Sequence, residues 1–230
     1  MNTCERRSLF GGFAVVVLGA VTMLTGVSTA AAGPGNFTCS ASALRVGDTV
    51  FVPANPDGNP CASDSPASLL VQDVAFAGGA VHLELLTSAT EAGSRGSSAS
   101  ASGAQLVLTA MGHTVQADVL RTNAAVECVE NPQGKPTAQP PTFESSALGV
   151  TIDGQSITPV GHTDVAIPGV GTVHLLHSEQ ADTERGPRSE EITQSALFFE
   201  PAAGTVLPEV AVAEVTADFT GQPCAPGQTK

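Results

Sequence analysis

Apolar and polar residues alternate along this chain in short runs. From Ala80 to Ser88 the alternation places Val81, Leu83 and Leu85 on one face and His82, Glu84 and Ser88 on the other, the period of two that marks a strand buried on one side. Similar runs predict strands at Ser42 to Val46, Thr49 to Val52, Ser68 to Phe76, Ser98 to Thr109, Val115 to Cys128, Leu148 to Ile152, Gln155 to Ile157, Asp164 to Ile167, Thr172 to Gln180 and Pro208 to Phe219. Turn dipeptides separate them: Gly47-Asp48, Pro168-Gly169 and Asp153-Gly154, the last suited to the positive φ angles of a type I′ hairpin. The small residues Ser97 to Ser102 would also suit a linker, but their counterpart Glu191 to Leu197 carries Ile192 and Leu197, so both stretches are read as strands.

Two of the strands are copies. Gly79-Ala80-Val81-His82-Leu83 returns as Gly171-Thr172-Val173-His174-Leu175 at an offset of 92, which also sets Ala89 over Ala181 and Ala104 over Ala196. Further on the offset becomes 96, where Ala117-Asp118-Val119 meets Ala213-Glu214-Val215 and Cys128 meets Cys224. Upstream, Ser42-Ala43-Leu44-x-Val46 matches Ser146-Ala147-Leu148-x-Val150. The reading is of an all-β protein, an antiparallel β-sandwich-like single domain over 33–230, built from two repeats (38–129 and 142–224) joined by a proline-rich, semi-extended connector (130–141). One copy of about 90 residues would struggle to close a core alone, and the other copy offers it a matching apolar face.

Composition narrows the reading. Trp and Tyr are absent and only 9 Phe occur, so the core is one of Val, Leu and Ala, while 24 Gly and 16 Pro favour many short strands over long helices. Nine basic against 22 acidic residues give a formal net charge of −13, which repels phosphate backbones and argues against nucleic-acid binding. Residues 1–32 read as an export signal: Arg6-Arg7 in a charged head, an apolar run from Phe13 to Val27, and Ala30-Ala31-Ala32 as the cleavage site. Arg6-Arg7-Ser8-Leu9-Phe10 also resembles a twin-arginine signal, which leaves the export route open. No second apolar run of about 18 residues follows, so no membrane span is expected after signal removal.

Removal of the signal takes Cys4 and leaves Cys39, Cys61, Cys128 and Cys224, an even number in an exported chain. The repeat chooses among the three pairings. Cys128 and Cys224 close equivalent strands and are expected to meet near a twofold axis. Cys39 and Cys61 lack partners in the second copy and are expected to staple the extra loop, Pro53 to Pro66, to the first strand.

Other patterns invite chemistry. His174-Leu175-Leu176-His177 suggests a metal site, but on a regular strand residues three apart face opposite ways, so the two imidazoles share an ion only where a bulge intervenes. His82 is the repeat equivalent of His174, which points to a place on the sheet more than a ligand. His162-Thr163-Asp164 sets a base beside a carboxylate, yet no G-x-S-x-G or S-x-x-K nucleophile motif occurs. Asp57 and Asp64 are read as turn formers. Glu179, Asp182, Glu184, Glu190 and Glu191, with Arg185 and Arg188, should crowd an exposed hairpin tip. Gly78-Gly79 and Gly169-x-Gly171 lead into strands, where no helix N-terminus would take a phosphate. Asn36-Phe37-Thr38 matches a glycosylation sequon that would be silent in a typical bacterium. No catalytic, cofactor or metal residue is therefore assigned.

Within the second copy, Pro168-Gly169-x-Gly171-x-Val173-x-Leu175 running on to Glu179-Gln180, then Ser195-Ala196-Leu197 and a closing strand with Cys224, resembles the choice-of-anchor P family of secreted actinobacterial proteins. The resemblance covers most of the chain after the signal and implies an extracellular β protein. The chain lacks the C-terminal sorting motif and apolar tail of anchored members, which implies release or loose retention in the cell wall. A non-enzymatic structural or adhesion module, with an unknown protein or cell-envelope partner, is the function expected. A secreted hydrolase using the carboxylates of the tip is the alternative.

Overall fold

A computed structural model describes residues 37–182, 190–221 and 223–224. The strands are β1 (Phe37–Val46), β2 (Thr49–Ala54), β3 (Leu69–Phe76), β4 (Gly79–Gly93), β5 (Gly96–Ala110), β6 (His113–Glu130), β7 (Pro136–Ala138), β8 (Thr142–Leu148), β9 (Thr151–Ile152), β10 (Gln155–Ser156), β11 (Thr163–Ile167), β12 (Gly171–Asp182), β13 (Glu190–Pro201) and β14 (Val210–Phe219). They form two antiparallel sheets packed face to face, the β-sandwich that the alternation calls for. Among the described residues no helix is long and apolar enough to cross a membrane.

Both sheets are assembled by the same rule. In the first, the order is β11-β12-β13-β14-β1-β2, a four-strand meander from late in the chain completed by the opening hairpin. In the second, the meander β3-β4-β5-β6 is completed by β8, β9 and β10. The first strand among the described residues therefore lies on the last, with Phe37 opposite Phe219 and Val46 opposite Val210. Likewise β8 lies on β6, with Val119 opposite Leu148. Arg45 on β1 locks the first of these seams by donating to both carboxylate oxygens of Glu214 on β14, at 3.2 and 2.8 Å.

The core lies between the sheets and is aliphatic, as the composition requires. Leu44, Leu83, Leu86, Leu106, Leu108, Leu120, Leu175 and Leu197 are fully buried, with Phe37 and Phe199 as its largest rings. The Ser/Ala run is β5, alternately buried and half-buried. Its small side chains make room for larger neighbours: a Cβ on Gly103 would stand 2.9 Å from a methyl of Leu83. Asp153 and Gly154 both have positive φ (50° and 78°), the type I′ geometry that joins β9 to β10.

Cys39 bonds to Cys61 and Cys128 to Cys224. The first bridge fastens the loop after β2. Asp64, read as a turn former, instead bridges to Thr90 on β4 and accepts a hydrogen bond from the Asn55 backbone at 2.8 Å. The second bridge ties the end of β6, in one sheet, to the chain just beyond β14, in the other.

Within the connector, β7 folds back onto β6 through a turn held by Asn131, whose side-chain oxygen accepts from the backbones of Gln133 and Lys135 at 3.0 and 2.9 Å. One expectation needs correction: Leu85 is not on the buried face but is 54% exposed, while Leu86 and Ser88 are buried. The cause is a left-handed residue in mid-strand, Leu85 at φ 51°, which resets the alternation.

The same device recurs in both sheets. Leu176 (φ 54°), Ala213 (φ 54°) and Val52 (φ 51°) fall on one line across the first sheet, each skipped by the flanking pairs Leu175↔Leu197 and His177↔Ser195, Leu197↔Val212 and Ser195↔Glu214, and Leu44↔Phe51 and Ser42↔Pro53. Gln105 (φ 52°) does the same in the second. Along this line in the first sheet two successive residues face the core, as Ala43-Leu44, Ala196-Leu197 and Val212-Ala213 do, whereas the kinked Leu85 and Gln105 of the second sheet are exposed.

Candidate functional site

The kink at Leu176 undoes the separation of the histidines expected on β12. With the alternation reset between them, His174 and His177 lie on the same side and their rings sit 5.1 Å apart. His162, just before β11, joins them at 6.0 Å from His174 and 5.6 Å from His177. One ring nitrogen from each of the three falls within 4.8 Å of the others.

Neighbouring strands hold the cluster in place. The three-residue turn at Pro168-Gly169-Val170 sets Asp164 opposite His174 and Val165 opposite Val173. Val173 faces the core, so Asp164 and His174 share the outer face. Asp164 Oδ1 accepts from His174 Nδ1 at 2.7 Å and lies 2.8 Å from His162 Nε2. On the other flank, His174 Nε2 is 3.2 Å from Glu200 Oε2 on β13. Phe198, opposite His174 in the register, stacks under His177 at 5.0 Å and 19° and under His174 at 5.8 Å and 26°.

Electrostatics follow from these contacts. The hydrogen bond from His174 holds the Asp164 carboxyl below the usual carboxylate range, with the charges of the surrounding histidines adding to it. Burial, reinforced by His174 and His162, pushes the His177 imidazole down and favours its neutral form. Nδ1 of His177 is buried and has no hydrogen-bond partner among the described residues, an unsatisfied polar atom of the kind native proteins seldom leave.

The remaining candidates are dispersed. His82 Nδ1 pairs with Asp73 at 2.7 Å on β3 and β4, and His113 with Asp153 at 2.7 Å. Asp57 and Asp64 belong to the stapled loop. Of the tip carboxylates, Glu179 is exposed on β12 and its charge acts on His177, while residues 183–189 and the side chains of Asp182, Glu190 and Glu191 lie outside the described residues. Residues 1–36, with the signal and Asn36, lie outside them as well. A cleft of about 440 Å³ lined by Glu127, Gln139, Pro140, Pro141 and Thr142 contains a single carboxylate, Glu127.

A second surface stands out on the outer face of the second sheet. Val71, Glu84, Ala104, Val119 and Leu148 are successive partners across five strands, so their side chains share one face. Leu148 is 59% exposed, Val71 50% and Val119 40%, with Leu85 beside them. Edge strand β3 adds Leu70, 71% exposed. The run through Val71, Leu85, Val119 and Leu148 is visible in the sequence only once the register is known.

The chain matches no protein-family model, no curated protein and no solved structure.

Proposed function

We propose that this protein is an exported, non-enzymatic binding module of the bacterial envelope or medium, which holds a protein partner against the outer face of its second sheet. The observation that carries the reading is the aliphatic band Val71, Val119, Leu148 and Leu85, set into a chain whose formal net charge is −13. A strongly acidic surface keeps a protein apart from its neighbours, so exposed aliphatic side chains aligned across one face of it, with Glu84 in the same row, mark the place where contact is made. Edge strand β3 borders the band and has no strand on its outer side among the described residues, which offers a partner backbone hydrogen bonds as well. Export is supported by the charged head and apolar run of residues 1–32 and by two disulfides, which persist outside the reducing cytoplasm. The resemblance to choice-of-anchor P proteins supports the same location.

The test is affinity capture from culture filtrate and envelope extract with the purified protein and with a Val119→Lys/Leu148→Glu variant whose far-UV spectrum matches it. A partner retained by the parent and lost by the variant is the expected result. Equal retention by both, or retention of nothing by either, overturns the proposal.

A further inference from the structure

We infer that His162, His174 and His177, with Glu200 beside them, form a binding site for one divalent ion of borderline softness, with Zn²⁺ the reference case. Imidazole nitrogens with a carboxylate oxygen are the donors that zinc and its late first-row neighbours take, whereas calcium and magnesium call for oxygen throughout. The nitrogens lie within 4.8 Å of one another. A tetrahedral ion with metal–ligand bonds of about 2.0–2.1 Å brings its ligands to roughly 3.3 Å, which small side-chain rotations close. One pair is already there: His174 Nε2 and Glu200 Oε2 are 3.2 Å apart. Asp164 holds the opposite nitrogen of His174 at 2.7 Å, the carboxylate–histidine arrangement that orients a ligating imidazole and raises its basicity. The buried Nδ1 of His177, unpartnered among the described residues, is a second, independent sign of a group that the cluster would bind.

The fold does not require three histidines here, and the second sheet shows it. On β3 and β4 the same framework recurs, Asp73 opposite His82 with a 2.7 Å hydrogen bond. Two residues before Asp73, where the first sheet has His162 before Asp164, stands Val71. Three residues after His82, where the first sheet has His177 after His174, stands Leu85. Both are exposed aliphatics. A histidine–aspartate pair flanked by hydrocarbon satisfies the sheet, so the two added imidazoles answer to something other than folding.

The experiment titrates untagged, chelator-treated protein with zinc chloride by calorimetry, and follows the imidazole nitrogens by two-dimensional NMR. The expected result is about one equivalent bound with a Kd below about 10 µM, with the resonances of His162, His174 and His177 shifting and those of His82 and His113 unmoved. His162→Asn, at an exposed position outside the strands, and His174→Ala should each weaken binding roughly 10- to 100-fold, while His82→Ala leaves it unchanged. The NMR readout on the parent protein keeps the inference open to refutation even if a variant folds poorly. No saturable binding, binding that moves His82 and His113 instead, or parental affinity in a folded His162→Asn protein would overturn it.

Discussion

His82 and Asp73 face each other across β3 and β4, and Glu84 stands 3.5 Å from the second ring nitrogen. The hydrogen bond to Asp73, with help from Glu84, raises the His82 pKa above its ordinary value of 6.5. A folded-state value above the unfolded one means that the protonated pair stabilises the fold fully below about pH 6.5 and that this contribution fades as pH rises through the raised value. An NMR titration should therefore find His82 losing its proton at higher pH than a free histidine, and Asp73→Asn should bring it back down; a parental midpoint in that variant would assign the shift elsewhere. Backbone conformation offers a second test at this scale. Gln105 is exposed and held at φ 52°, a region that costs a residue with a Cβ about 1–3 kcal/mol and glycine little. Gln105→Gly should raise the urea midpoint and Gln105→Val should lower it by about 1 kcal/mol or more, because a β-branched chain is least tolerant of positive φ. The opposite order would mean that the kink is not maintained in solution.

At the scale of elements, the two disulfides close loops of very different length. Cys39 and Cys61 are 22 residues apart and Cys128 and Cys224 are 96 apart, so loop entropy assigns about 3 kcal/mol to the first and about 4.7 kcal/mol to the second. Urea unfolding of Cys39→Ser/Cys61→Ser and Cys128→Ser/Cys224→Ser proteins should show the larger loss in the second. Losses in the reverse order would mean that the loop after β2 holds more of the structure than a staple does. The strands, their turns and these pairings were legible because each leaves a local mark: alternation of period two, Asp153-Gly154, a cysteine at the end of each equivalent strand. The kinks left none. A left-handed turn of the backbone is usually announced by glycine, and here it falls on Val52, Leu85, Gln105, Leu176 and Ala213, chosen by pairing on both sides. One unmarked kink at Leu176 hid the histidine cluster, since every inference about which side a β12 residue faces was made for a regular strand. Part of the cluster was nonetheless within reach. Counting outward from the Pro168-Gly169 turn gives the register that sets Asp164 opposite His174, and His162 precedes Asp164 by two.

For the whole molecule, the decisive feature is that neither sheet is made from one repeat alone. The first sheet takes β1 and β2 from the beginning and β11 to β14 from the end, while the second takes β3 to β6 from the first half and completes itself with β8 to β10. A cut in the connector leaves each half with a meander whose last strand has lost its neighbour: β14 without β1, and β6 without β8. It also leaves an opening segment with no sheet to join, and severs the covalent tie between Cys128 and Cys224. Every half would then expose one apolar sheet face of the core and one long unpaired edge, the combination that drives association over independent folding. A fragment of residues 142–230 should accordingly show no cooperative unfolding transition, and neither should residues 33–141, whereas an equimolar mixture should recover a single transition and the strand signal of the intact chain. The recovery should depend on concentration, as it must when folding is also association. Cooperative unfolding of the isolated 142–230 fragment, with a midpoint near that of the intact protein, would show that a meander and a lone hairpin suffice, and that the exchange of opening strands is an ornament of the fold and not its basis.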